Sequence, residues 1–169
     1  MQAFLIDAQK EFMSALLAGT SFDSFIVCSV QVTTFTTFTV DGSWHPEFAG
    51  ASAEDQEAGE KPESSSLTWR MVRPAIYSLI RGKTPPLQIK AVLRLSDENT
   101  QKVLAQAGLP LSPQDVTGLY LNILYDREKI TLTAGTSLRV FTPDRTLDQV
   151  WGDLTGKFLS KLQITYEKI

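Results

Sequence analysis

Residues 25–40 read FIVCSVQVTTFTTFTV, and this stretch decides the fold class. It is rich in Val, Ile, Phe and Thr, whose branched and aromatic side chains pack well on a pleated surface. Ile26, Cys28, Val30 and Val32 alternate and would share one face of a strand. Beyond Val32 the alternation breaks, because Phe35 and Phe38 stand three apart. One strand over the whole stretch would exceed the usual length of about 3–10 residues, so a bulge, a sharp bend or a hairpin is expected there. Cys28, inside the apolar part, is expected to be a buried small hydrophobe.

Toward the N-terminus, Gln2 to Ile6 reads as a short strand. Asp7 reads as the N-cap of a helix whose apolar face is Phe12, Met13, Leu16 and Leu17, with Gly19 as its stop. Downstream, Asp41-Gly42 reads as a turn. Residues 43–66 form an acidic insert: from residue 51 onward Glu54, Asp55, Glu57, Glu60 and Glu63 face only Lys61, which predicts a solvated, flexible segment. A helix is expected from Trp69 to Ile80, with Trp69, Val72, Ile76, Leu79 and Ile80 inward. Pro74 either kinks it or begins its regular part.

Leu87 to Leu95 alternates as a strand. Ser96 caps the next helix, Asp97 and Glu98 suit its positive end, and Gly108 closes it. Ser112-Pro113-Gln114-Asp115 reads as a capped single turn. Leu119–Tyr125 and Ile130–Ala134 read as a hairpin, and Leu138–Phe141 as a further short strand. The last helix follows Thr142-Pro143, with Leu147, Val150, Trp151, Leu154, Phe158 and Leu162 as an apolar stripe. Thr165 to Ile169 is expected to be an edge strand or a frayed tail.

The elements add up to one α+β domain over residues 1–169, with a mainly antiparallel sheet of about six strands and four helices. Residues 1–82 and 87–164 repeat the order strand, helix, strands, longer helix, with Asp7–Gly19 and Asp97–Gly108 as the corresponding first helices. Doubled strand-helix-strand-strand units resemble the building unit of DNA sliding clamps. That is an analogy of fold, which by itself carries no function.

Charge is unevenly placed along the 169 residues, whose formal net charge is −3. Residues 1–50 and 51–66 each carry −4, whereas residues 67–169 carry +5. Between residues 67 and 96 there are six basic residues and no acid: Arg70, Arg73, Arg81, Lys83, Lys90 and Arg94. On an uninterrupted helix Arg70, Arg73, Tyr77 and Arg81 would line one face. A basic stripe with an interleaved tyrosine can neutralise phosphates and stack on a base. It can also dock on an acidic protein or remain a solvated face whose stems cover apolar surface. The acidic insert could fold back on it as counter-charge.

Most enzyme chemistry finds no support. A single Cys28 and a single His45 leave no internal disulfide and make a His-based metal site or triad improbable. Arg81-Gly82-Lys83-Thr84 ends like a phosphate-binding loop, but Tyr77 stands where the earlier glycine is needed. No Gly-x-Ser-x-Gly or Gly-x-Gly-x-x-Gly motif is present. His45, in Ser43-Trp44-His45-Pro46-Glu47, would need Ser43 or Cys28 as a nucleophile, and a loop histidine beside proline reads more simply as a surface residue. Glu54, Asp55 and Glu57 lack the glycine hinge and spacing of a calcium loop. No catalytic, metal or cofactor residue is assigned, and a non-enzymatic protein is preferred.

The hydroxyls of Thr33–Thr39 and of Thr131–Ser137 are first of all those of good strand formers. If Phe35 and Phe38 lay exposed at an edge, they would favour strand-to-strand dimerisation. No apolar run approaches the roughly 18 residues of a membrane span, and Met1–Ile6 is too short for a signal sequence. A cytoplasmic protein without membrane contact is expected.

Two stretches together, TTFTTFTVDG at residues 33–42 and Arg73-Pro74 through Gly82-Lys83-Thr84-Pro85, resemble a small bacterial family of uncharacterised proteins. Thr136-Ser137-Leu138 and the final helix fit the same picture. The resemblance covers nearly all of the chain except roughly residues 43–66, where members differ in length. It implies no activity, substrate or site residues. The expected function is therefore a binding domain that engages nucleic acid or an acidic partner through the basic face, in its most specific version as a clamp-like assembly. The alternative is an interaction domain that dimerises through the Thr/Phe strand.

Overall fold

Alternation of apolar and polar residues builds the sheet, and 3.6-residue stripes build the layer that covers it. The computed structural model describes residues 1–50 and 66–169. Among these residues the order is β1 (Gln2–Ile6), α1 (Gln9–Leu17), β2 (Ile26–Thr33), β3 (Thr37–Val40), α2 (Pro46–Gly50), α3 (Trp69–Ile80), β4 (Gln88–Arg94), α4 (Asp97–Ala107), β5 (Val116–Tyr125), β6 (Ile130–Leu138), α5 (Thr146–Lys161) and β7 (Tyr166–Lys168). A capped 3-10 turn at Pro113–Asp115 precedes β5. The α+β class and the antiparallel sheet are as expected, with seven strands and five helices among the described residues where about six and four were anticipated. The insert expected from 43 to 66 holds the short helix α2, and its acidic part lies outside the described residues.

The strand order is β3-β2-β4-β5-β6-β1-β7, and every neighbouring pair is antiparallel. Position β4 lies between β2 and β5, whereas β1 lies between β6 and β7, so the two similar runs of elements enter the sheet differently. Phe4, Ile6, Val30, Val32, Ile89, Ala91, Leu93, Leu121, Ile123, Leu132 and Ala134 project to one side. There they form a single cluster with Phe12 and Leu16 of α1, Trp69, Val72 and Ile76 of α3, Leu104 of α4, and Leu147, Trp151 and Leu159 of α5. The other side of the sheet carries the alternate residues, and one row runs across all seven strands: Thr39, Gln31, Lys90, Leu124, Thr131, Leu5 and Glu167.

The break after Val32 is a hairpin, with Thr33 paired to Thr37 and Phe35 at its tip. A bulge in β2 lies between Val27 and Ser29, at Cys28. Cys28 is consequently half-exposed and not the buried hydrophobe expected, because the extra residue of a bulge drops out of the inward alternation. Gly42 passes close by with φ +78°, and a Cβ there would sit 2.4 Å from the Cys28 carbonyl oxygen, so only glycine fits.

Other boundaries shift for local reasons. The residue before α1 is Ala8, not Asp7, and Asp7 instead donates its backbone N–H to the Thr165 carbonyl at 3.0 Å, tying β1 to the β7 approach. Leu138–Phe141 is no separate strand. Pairing with β5 continues without interruption through Gly135 to Ser137, and Val140 and Phe141 lie exposed beyond the sheet. Pro74 stands inside α3, which continues through it to Ile80, and the Pro74 carbonyl accepts from the Ser78 hydroxyl at 3.0 Å. The cap at Ser96 and the left-handed Gly108 stand where expected, and of the two alternatives for Thr165–Ile169 the edge strand, β7, is the one that forms.

One buried-end contact makes stability depend on pH. Asp148, in the first turn of α5, accepts from the Thr136 hydroxyl of β6 and lies 3.4 Å from both the Met1 amino group and Arg145. Burial pushes its pKa up, but the Thr136 hydrogen bond, the amino-terminal charge and Arg145 outweigh it, and the carboxyl lies below its ordinary 3.8. A carboxyl lowered on folding stabilises the protein above its unfolded pKa and loses that contribution as pH falls through the folded value. Asp148→Asn is therefore expected to shrink the stability lost between about pH 5 and pH 3, measured by urea unfolding of both proteins across that range. An identical acid limb in the variant would refute the role.

Candidate nucleic-acid interface

The seven residues of the basic stretch do not form one face. Lys90 alternates with Ile89 and Ala91, which are buried under the helices, so its side chain projects from the side of the sheet opposite them, between Gln31 and Leu124. Arg94, four residues on, shares that side and is nearly covered. Its Nη1 donates to Asp97 Oδ1 at 2.6 Å, and its stem lies over Gly118. The residues on α3 belong to the helix layer instead. Two layers thus separate cations that are close in sequence.

Arg73 is a structural cation. Its Nε and Nη2 donate to Asp23 Oδ1 and Oδ2 at 3.0 and 3.1 Å, a two-pronged pair with side-chain exposures of 20% and 14%. Arg70 is exposed one turn earlier, and its backbone N–H donates to the Asp23 carbonyl at 3.3 Å. Arg81 and Lys83 occupy the exposed loop that leads from α3 around the end of the sheet into β4. Among the described residues, no carboxylate lies within ion-pair distance of Arg81, Lys83 or Lys90.

Exposed rings lie on the hairpin that this loop meets and on α3. Leu87 N–H donates to the Thr33 carbonyl at 2.8 Å, which holds the loop after Lys83 against the β2–β3 hairpin. Phe35, at the hairpin tip, is 93% exposed and touches Phe38 edge-on at 5.8 Å between ring centres. Tyr77, one helical turn before Arg81, is 49% exposed. The broken alternation points to Phe35 only as an edge ring for dimerisation, since nothing local in the sequence shows that the loop after Lys83 is held against this hairpin.

The remaining polar clusters are weaker candidates. The Ser43 hydroxyl donates to Asp41 Oδ1 at 2.6 Å and lies 3.2 Å from His45 Nε2. A catalytic relay needs the carboxylate against the imidazole and the imidazole against the hydroxyl, so this exposed turn has the wrong order. The Ser43 hydroxyl and N–H hold the Asp41 carboxyl below its ordinary value. Burial pushes the Cys28 thiol up against the opposing charge of Arg94, which disfavours a reactive thiolate. Among the described residues there is no cluster of three or more potential metal ligands, and no helix long and apolar enough to cross a membrane. The residues Glu54, Asp55 and Glu57 lie outside the described part.

Neither the curated proteins nor the solved structures contain a match to this chain. A family model does match, over residues 15–167, and spans the hairpin, the basic loop and the final helix that carry the resemblance in the sequence. The chain belongs to that family, described as a family of unknown function (DUF5721).

Proposed function

We propose that the protein is a non-enzymatic binding domain that holds a nucleic-acid strand along the exposed loop of Arg81 and Lys83 and onto Lys90 of the adjoining strand β4. The observation that carries this reading is that Arg81, Lys83 and Lys90 are exposed without carboxylate partners among the described residues, while the loop that holds the first two is tied to the hairpin whose tip is the exposed ring of Phe35. Cations beside aromatic faces supply the two interactions that single strands need, phosphate neutralisation and base stacking. Arg73 and Arg94 do not contribute, because their guanidinium groups already hold Asp23 and Asp97.

The test is fluorescence anisotropy of a labelled oligothymidylate at about 50 and 200 mM salt, conditions over which several phosphate contacts weaken binding by orders of magnitude. Wild-type protein should bind with a steep salt dependence. A triple variant, Arg81→Glu with Lys83→Glu and Lys90→Glu, should lose binding while keeping its melting temperature. Absence of binding at low salt, or undiminished binding by the variant, would remove nucleic acid from consideration.

A second reading is self-association through β3, an outer strand of the sheet with Phe35 at its tip. Its four residues make a short edge, and short edges are the usual protection against such pairing, so this reading ranks below the first. A mass measurement by light scattering on wild-type protein and Phe35→Ser separates the two.

A further inference from the structure

Between α4 and α5, in the helix layer, lies a cavity of about 310 Å³. The helix on one side of it is lightly seated: of the eleven residues of α4 only Thr100 and Leu104 are buried. The floor is apolar, formed by Leu121 of β5, Trp151 and Leu154 of α5, and the edge-packed rings of Phe25 and Phe158. Two polar groups on that floor are already used internally. The Trp151 indole N–H donates to the Tyr120 carbonyl at 2.9 Å and the Thr155 hydroxyl to the Trp151 carbonyl at 2.9 Å.

The rim differs from the floor. Among the described residues, Lys102 is the one ionisable residue that lines the cavity. Its partner is Glu98 at 2.8 Å, in a pair where both side chains are exposed, and such a pair is weak enough in water for the ammonium to turn. Asn99 and Ser21 are half-buried at the same rim, and neither side chain has a hydrogen-bond partner among the described residues. An apolar floor with one cationic corner and unused polar groups is the arrangement of a small-ligand site, and the volume lies at the lower end for such sites.

We infer that this cleft binds a small anionic amphiphile of octanoate size, with its chain against Leu121, Leu154 and Phe158 and its carboxylate at Lys102 and Asn99. The cleft uses none of the residues proposed for nucleic-acid binding, so the two readings stand or fall separately.

Isothermal titration of the full chain with sodium octanoate tests the proposal, with octanol and octylamine as headgroup controls. Saturable octanoate binding is expected, at least tenfold tighter than either control. Lys102→Glu, at an exposed position, should weaken octanoate about tenfold with no change in melting temperature. Val103→Phe, which fills the cavity from α4, should abolish binding. Should that variant also disturb α4, Lys102→Glu still decides the matter. No saturable binding, equal affinity for octanol, or wild-type affinity in Lys102→Glu would each overturn the assignment.

Discussion

Trp69→Ala is expected to lower stability by about 3–5 kcal/mol, the range for removing a large buried ring. Trp69 is fully buried, and its indole N–H donates to the Leu16 carbonyl at 2.7 Å. That carbonyl belongs to the last turn of α1, where no helical N–H remains to pair with it, so the indole supplies a cap from another helix. The Trp69 backbone N–H also donates to the Phe25 carbonyl at 2.9 Å, which joins the start of α3 to the entry of β2. Ring removal would open a void where three elements meet. For a chain of this length the loss corresponds to a fall in melting temperature on the order of 10 °C. Trp69→Phe should cost less, keeping most of the ring and leaving one buried carbonyl unpaired. Urea unfolding of both variants checks the order, and near-native stability in Trp69→Ala would contradict the packing described.

Arg73→Glu is expected to cost about 3 kcal/mol, toward the low end for breaking a buried ion pair because some solvent reaches this one. Arg73 stands one turn after Trp69 on α3 and reaches the same helix end, with Nη1 donating to the Leu17 carbonyl at 3.4 Å. Its fork on Asp23 fixes the loop between α1 and β2. A positive group beside a helix C-terminus is favourable in itself, so reversing its sign loses the dipole contact, the fork and the neutralisation of Asp23 together. Arg73→Lys should fall between wild type and Arg73→Glu, since an ammonium keeps the charge but not the two-pronged geometry. Equal melting temperatures for wild type and Arg73→Glu would refute the structural role. The substitution is unsuited to probing nucleic-acid binding, because any loss of retention would be mixed with loss of folding.

What sequence determined by itself was local in origin. Element types followed from side-chain period, as in the alternation of Ile89, Ala91 and Leu93 and the stripe of α5. The Ser96 cap and the Gly108 stop rest on contacts a few residues apart, and they stand where expected. Even the broken alternation after Val32 announced a bulge, a bend or a hairpin, and tertiary pairing made it the hairpin. Tertiary structure decided the rest. Arg73 meets Asp23 fifty residues away, and no local pattern distinguishes it from Arg81, which has no carboxylate partner among the described residues. Lys90 faces away from α3 because the helices cover the side of the sheet chosen by Ile89 and Ala91. The cavity between α4 and α5 depends on how two separately amphipathic helices leave a gap, and amphipathicity reports only which side of each is apolar. Short-range geometry is written in the period of the chain, whereas the joining of charges, rings and voids depends on which surfaces the packed layers bring together.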